Sequence, residues 1–92
     1  MCATISTAKL DPARTDESRE FAKTFLATAG EAPGFVSGTF ARSADGSADR
    51  SIVIFETEEA AKALAQRAPG LIPSDGPTEL ISVEVFEVVA HR

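Results

Sequence analysis

Apolar side chains recur at helical spacing through residues 16–29, where Phe21, Ala22, Phe25, Leu26 and Ala29 fall together and Glu17, Arg19, Glu20 and Lys23 fall elsewhere. The spacing predicts a helix that Gly30 ends. Asp11 and Pro12 stand ahead of it as an N-cap and a proline suited to a first helical turn. A second helix is predicted after Thr57, a hydroxyl cap followed by Glu58 and Glu59, acids placed where the helix dipole favours them. Its apolar stripe is Ala60, Ala61, Leu64 and Ala68, and Pro69-Gly70 is predicted to stop it.

Four other stretches carry strand signals. Residues 2–8 are small and β-branched, a weak first strand. Residues 35–42 follow the turn dipeptide Pro33-Gly34, and residues 51–56 follow Asp45-Gly46, the dipeptide most typical of a two-residue hairpin loop. That loop would set Arg42 opposite Asp49, a pair of opposite charges that supports the register. Val36, Gly38 and Phe40 then share a face with Ser51, Val53 and Phe55, while Phe35, Ser37 and Thr39 share the other with Ile52 and Ile54. The last strand spans 79–90, with Ile81, Val83, Val85 and Val89 on one side and Ser82, Glu84, Phe86, Val88 and Ala90 on the other.

The order is βαββαβ, so an α+β, ferredoxin-like fold with an antiparallel sheet is expected. The third strand is apolar on both faces, whereas a half-exposed strand would alternate. Two helices cover one face and none remains for the other. A second copy of the sheet is the economical cover, which predicts a homodimeric α/β barrel with Ile52, Ile54 and Val83 in the interface.

Composition narrows the picture further. A chain of 92 residues, 43% apolar and 25% charged, suits one folded domain over 1–92 with a modest core, a size for which oligomerisation is a common remedy. A net charge of −5 with scattered basic residues argues against nucleic acid and against an anionic membrane surface. No run approaches the roughly 20 apolar residues of a membrane span. The start Met1-Cys2-Ala3-Thr4 lacks the layout of a signal peptide, so a cytoplasmic location is expected. Cys2 is the only cysteine, which leaves no internal disulfide.

The stretch Ala32-Pro-Gly-Phe-Val-Ser-Gly-Thr-Phe40, the Asp-Gly hairpin, and Ile52-Val-Ile-Phe-Glu-Thr-Glu-Glu-Ala-Ala61 together resemble the antibiotic biosynthesis monooxygenase-like family. The closing Val83-Glu-Val-Phe-Glu-Val-Val-Ala90 is similar to that family's last strand, so the resemblance runs over nearly the whole chain. It implies the homodimeric α/β barrel, and a cofactor-independent monooxygenase acting on a small aromatic molecule. The site residues carry over poorly. The haem-degrading branch uses an Asn on the first strand, a Trp closing the third and a His on the second helix. Here Phe55 takes the Trp position, the predicted second helix has no His, and the chain has no Asn. The monooxygenase branch uses Asn, Trp and Tyr, all absent. Haem cleavage is therefore not expected, and no cofactor is. The alternative is a non-catalytic ligand-binding or regulatory dimer of ACT-like type, whose copies align sheets edge to edge instead of stacking them.

Few side chains offer chemistry. His91 is the sole imidazole, but it stands one residue from the C-terminal Arg92, where chains fray. Glu84, beside Phe86 and Val88, is the carboxylate most suited to partial enclosure, ahead of Glu56 and Glu87. One His and one Cys at opposite ends make no dedicated metal site, and no Gly-rich nucleotide loop opens a helix. The remaining candidate is a layer of Phe21, Phe25, Phe40 and Phe55 between helices and sheet, read as core or as the wall of a small hydrophobic pocket.

Overall fold

The computed structural model describes residues 1–92. It holds β1 (Cys2–Leu10), a short 3-10 turn (Pro12–Arg14), α1 (Thr15–Gly30), β2 (Phe35–Arg42), β3 (Ala48–Phe55), α2 (Glu58–Leu71) and β4 (Thr78–Glu87). The sheet order is β2-β3-β1-β4 and every pairing is antiparallel, the expected ferredoxin-like arrangement. Both helices pack on one face, around Phe25, Ala29, Val53, Phe55, Ala61, Leu64 and Ala68. Thr4 ties the layers together, its buried hydroxyl donating to the Ala61 carbonyl of α2 at 2.7 Å.

Several boundaries differ from the sequence reading. Asp11 caps the 3-10 turn, accepting from the Ala13 amide at 2.9 Å, and α1 begins after it without a side-chain cap. α2 runs through Pro69 to Leu71. The proline removes only the bond to the Ala65 carbonyl near the helix end, and Ala68 and Leu71 pack onto the core beside it. β4 ends at Glu87, so Val89 and Ala90 lie beyond it; Val89 is 89% exposed.

The β2–β3 register is the expected one, with Arg42 opposite Asp49 and Gly38 opposite Val53. The loop is longer than expected, since the Ser43 amide bonds the Ala48 carbonyl and residues 44–47 make the turn. Its added residues fall evenly on both sides of Asp45-Gly46, which preserves the pairing. Gly46 has φ of 75°, a left-handed conformation that glycine adopts freely.

Asp45 fastens this loop. Its Oδ1 accepts from the Ser43 hydroxyl at 2.8 Å, the Ser47 amide at 3.0 Å and the Ser47 hydroxyl at 2.6 Å. These bonds, those from Ser47 foremost, lower the Asp45 pKa from 3.8 to about 2. A depressed carboxyl stabilises above its unfolded value and loses that contribution as pH falls through its folded value. Protection of the Ser47 amide, taken relative to its intrinsic exchange rate, should therefore hold above pH 3.8 and fall as pH drops toward about 2, ahead of amides in the β1–β3 ladder. Equal loss of protection along both would contradict this.

A bulge changes the faces. Phe35 pairs with Phe55 and Ser37 with Ile54, leaving Val36 as the extra residue. Phe35 thereby turns onto the helix-covered side, where its ring meets Phe55 edge-on with centroids 6.2 Å apart. It was expected on the opposite face. A second bulge makes Ile81 the extra residue between Leu80, opposite Ala8, and Ser82, opposite Thr7. Val83 pairs with Ser6 and packs against the core cluster under the helices. Its placement with Ile52 and Ile54 is thus corrected: they stand on the uncovered face, where the ladder aligns Ile5 with Ile52 and Glu84, and Ala3 with Ile54 and Phe86.

Candidate functional site

The space between α1 and the sheet is where chemistry can be arranged. Phe21 and Phe25 lie one helical turn apart on α1, their ring centroids 6.0 Å apart. Phe40 rises from β2 to meet Phe25 edge-on at 5.7 Å. These three rings wall a cavity of about 20 Å³ that also touches Ser6, Asp49 and Thr78. Phe55 is not among them. It is fully buried against Phe35 in the main core, so the expected four-ring layer divides into a trio and a separate pair. On the side of Arg42 the cavity adjoins a cleft of about 200 Å³ that shares Phe40 and Asp49 with it.

The polar lining is uneven in how it is satisfied. The Ser6 and Ser51 hydroxyls bond each other across β1 and β3. The Arg42 guanidinium reaches α1 and donates to the Thr15 carbonyl at 3.2 Å and the Ser18 hydroxyl at 2.8 Å. Its carboxylate neighbour in the register, Asp49, forms no ion pair with it; the three ion pairs of the chain are Arg14–Glu17, Lys23–Glu20 and Lys62–Glu58. Asp49 is 9% exposed, and burial pushes its carboxyl pKa up, against a smaller opposing pull from Arg42. The Thr78 hydroxyl oxygen is fully enclosed and has no hydrogen-bond partner.

The other sequence candidates do not gather here. His91 lies past the end of β4 and is exposed. Glu84 is exposed on the uncovered sheet face, opposite Ile5, and Glu56 and Glu87 are exposed as well. No cluster of three His, Cys, Asp or Glu side chains stands ready for a metal. Asp49 and Thr78 went unrecognised in the sequence. The alternation of β3 held the signal for Asp49, which shares the parity of the inward Ser51, Val53 and Phe55. The opposite charge of Arg42 drew attention to the surface instead. Thr78 opens β4 after a Pro- and Gly-bearing loop, and no periodicity marks it as inward.

No family model matches the chain, and no curated protein matches it. Solved structures do. MupZ from Pseudomonas fluorescens superposes with a TM-score of 0.73 at 12% identity over 91% of this chain, which spans 65% of MupZ. SnoaB, a cofactor-independent oxygenase from Streptomyces nogalater, gives 0.70 at 18% identity, covering 98% of this chain and 94% of that one. The heme-degrader MhuD of Mycobacterium tuberculosis, solved with two hemes in its active site, gives 0.65 at 21% identity over 100% of this chain and 99% of its own. An antibiotic biosynthesis monooxygenase gives 0.71 at 14% identity, covering 98% of this chain and 100% of that one. The chain has the fold of these monooxygenases, as its motifs suggested. No helix is long and apolar enough to cross a membrane.

Proposed function

We propose that this chain is a cytoplasmic, homodimeric member of the monooxygenase-like group that binds a small aromatic molecule between α1 and the sheet. The observation that carries the reading is the cleft of about 200 Å³ beside the trio Phe21, Phe25 and Phe40, which shares Phe40 and Asp49 with the small cavity they wall. The cleft has room for a flat apolar guest, and Phe40 offers it an aromatic ring. The fold is shared with a cofactor-independent oxygenase, which supports the monooxygenase-like reading. Oxygenation there would draw on the reactivity of the guest, because the Asn, Trp and Tyr of the related enzymes are absent from the chain. The single cysteine, with no disulfide to form, agrees with a reducing compartment.

Dimerisation rests on the uncovered sheet face. Ile52 is 45% and Phe86 46% exposed there, in line with Ile5 and Ile54, and no element of the chain covers them. Stacking two such faces would complete a barrel and remove this surface from water.

Naphthalene titrated into the native protein should bind saturably, and Phe40→Ala should weaken it at least several-fold. Absence of saturable binding would end the pocket reading. Haemin with a reductant should lose its Soret band no faster than without protein, because the Asn and His of the haem degraders are missing and Phe55 replaces their Trp. Accelerated loss with release of chelatable iron would overturn that reading.

A further inference from the structure

Thr78 stands out because its enclosed hydroxyl lacks the partner buried polar groups normally have, and Asp49 because its largely buried carboxylate forms no ion pair. Asp49 is 9% and Thr78 8% exposed, and both line the cavity walled by Phe21, Phe25 and Phe40. The Thr78 oxygen has no partner. The Asp49 carboxyl is passed over by the one nearby guanidinium, which is engaged with Thr15 and Ser18. Ser6 and Ser51, the other hydroxyls at hand, are occupied with each other. A buried donor or acceptor left without a partner carries its full desolvation cost.

The size of the space is informative too. About 20 Å³ admits one water-sized group and no more. The adjoining cleft of about 200 Å³, bounded by Ala22, Phe40 and Arg42, has room for a flat ring system, and Asp49 and Phe40 border both spaces. Polar head and apolar body thus have separate places, in contact through Asp49.

We infer that Asp49 and Thr78 form a polar anchor that selects ring compounds bearing a hydrogen-bond donor, with the O–H or N–H seated in the small cavity and the ring in the cleft against Phe40 and Ala22. This rests on the ligand-gap reading above and deepens it. The ionised carboxylate is an acceptor only, and the threonine hydroxyl both donates and accepts, so a donor placed between them satisfies both groups. A ring without the donor leaves both unpaired. Sites built around such groups discriminate strongly against analogues that lack the partner.

Naphthalene, 1-naphthol and 1-naphthylamine share one ring system and separate the contributions. In the native protein the naphthol, the naphthylamine or both should bind about 10- to 100-fold tighter than naphthalene, the range for a hydrogen bond to a charged group. Which of the two gains more distinguishes an O–H from an N–H preference. Thr78→Val, which keeps the shape, and Asp49→Asn, which removes the charge, should erase most of that advantage and bring the three compounds toward one affinity. Circular dichroism would check that both variants are folded. Equal binding of all three compounds to native protein and variants would overturn the anchor while sparing the pocket. Failure of all three to bind would overturn both.

Discussion

Replacing Phe55 with alanine should cost the fold about 3–5 kcal/mol, the usual range for emptying a packed aromatic site. Phe55 is the largest side chain with no exposure at all. Its ring meets Phe35 edge-on, and the core cluster around it takes in Val53, Ala61 and Leu64. No cavity borders it that could already be accommodating a loss, and its strand lies between two others in the sheet. Domains of this kind are stable by about 5–15 kcal/mol in total, so the variant should sit near the edge of folding. Phe25→Ala should cost less than Phe55→Ala, because Phe25 already borders unfilled space. Urea melts of the two variants beside the native protein provide the comparison. A lower midpoint with unchanged slope marks a stability loss of this kind. Equal costs would mean that the rings form one layer after all, and that the division into a trio and a pair has no energetic meaning.

That division was not legible in the chain, and the reason is local. Period-two alternation assigns every residue of β2 to a face until one residue is inserted, and the bulge at Val36 moves Phe35 across the sheet. Nothing in Phe35-Val36-Ser37 marks the insertion. The same holds for Val83. Alternation correctly put it beside Val85 and away from Phe86, but it could not say which side of β4 faces the helices. Register against β1 decides that, and register is a property of two segments at once.

Legible features were those that one segment settles alone. The helical stripe through Phe21, Phe25 and Ala29 needs no partner to be recognised. The Asp-Gly hairpin centre fixes the Arg42–Asp49 pairing whichever loop length is adopted. The two-sided apolar character of β3 also survives intact, with Val53 and Phe55 buried under the helices and Ile52 and Ile54 on the other face. The candidate site itself was half visible. Its aromatic walls follow from periodicity, whereas its polar floor joins β3 to the first residue of β4.

Changing Ile54 to lysine should convert a dimer into a folded monomer. Ile54 lies on the uncovered face between Ala3 and Ser37, only partly shielded by its own chain. In an isolated protomer a lysine can lay its methylenes along that surface and keep its ammonium in water. Between two stacked sheets the ammonium would be enclosed beside Ile5, Ile52 and Phe86, and Glu84, the carboxylate on this face, stands two strands away in line with Ile52 and not with Ile54. Burying an unpaired charge costs several kcal/mol, and two-fold symmetry imposes it twice. The dissociation constant should rise at least about a thousandfold, since about 4 kcal/mol corresponds to that factor. Val83→Lys makes the contrasting case. Its side chain packs against the protomer's own core, so the charge should damage folding itself. Light scattering at micromolar concentration should give twice the chain mass for the native protein and the single-chain mass for Ile54→Lys, with the far-ultraviolet circular dichroism of both alike. A native protein that scatters as a monomer at that concentration, or an Ile54→Lys variant that remains dimeric, would remove the sheet face as the interface.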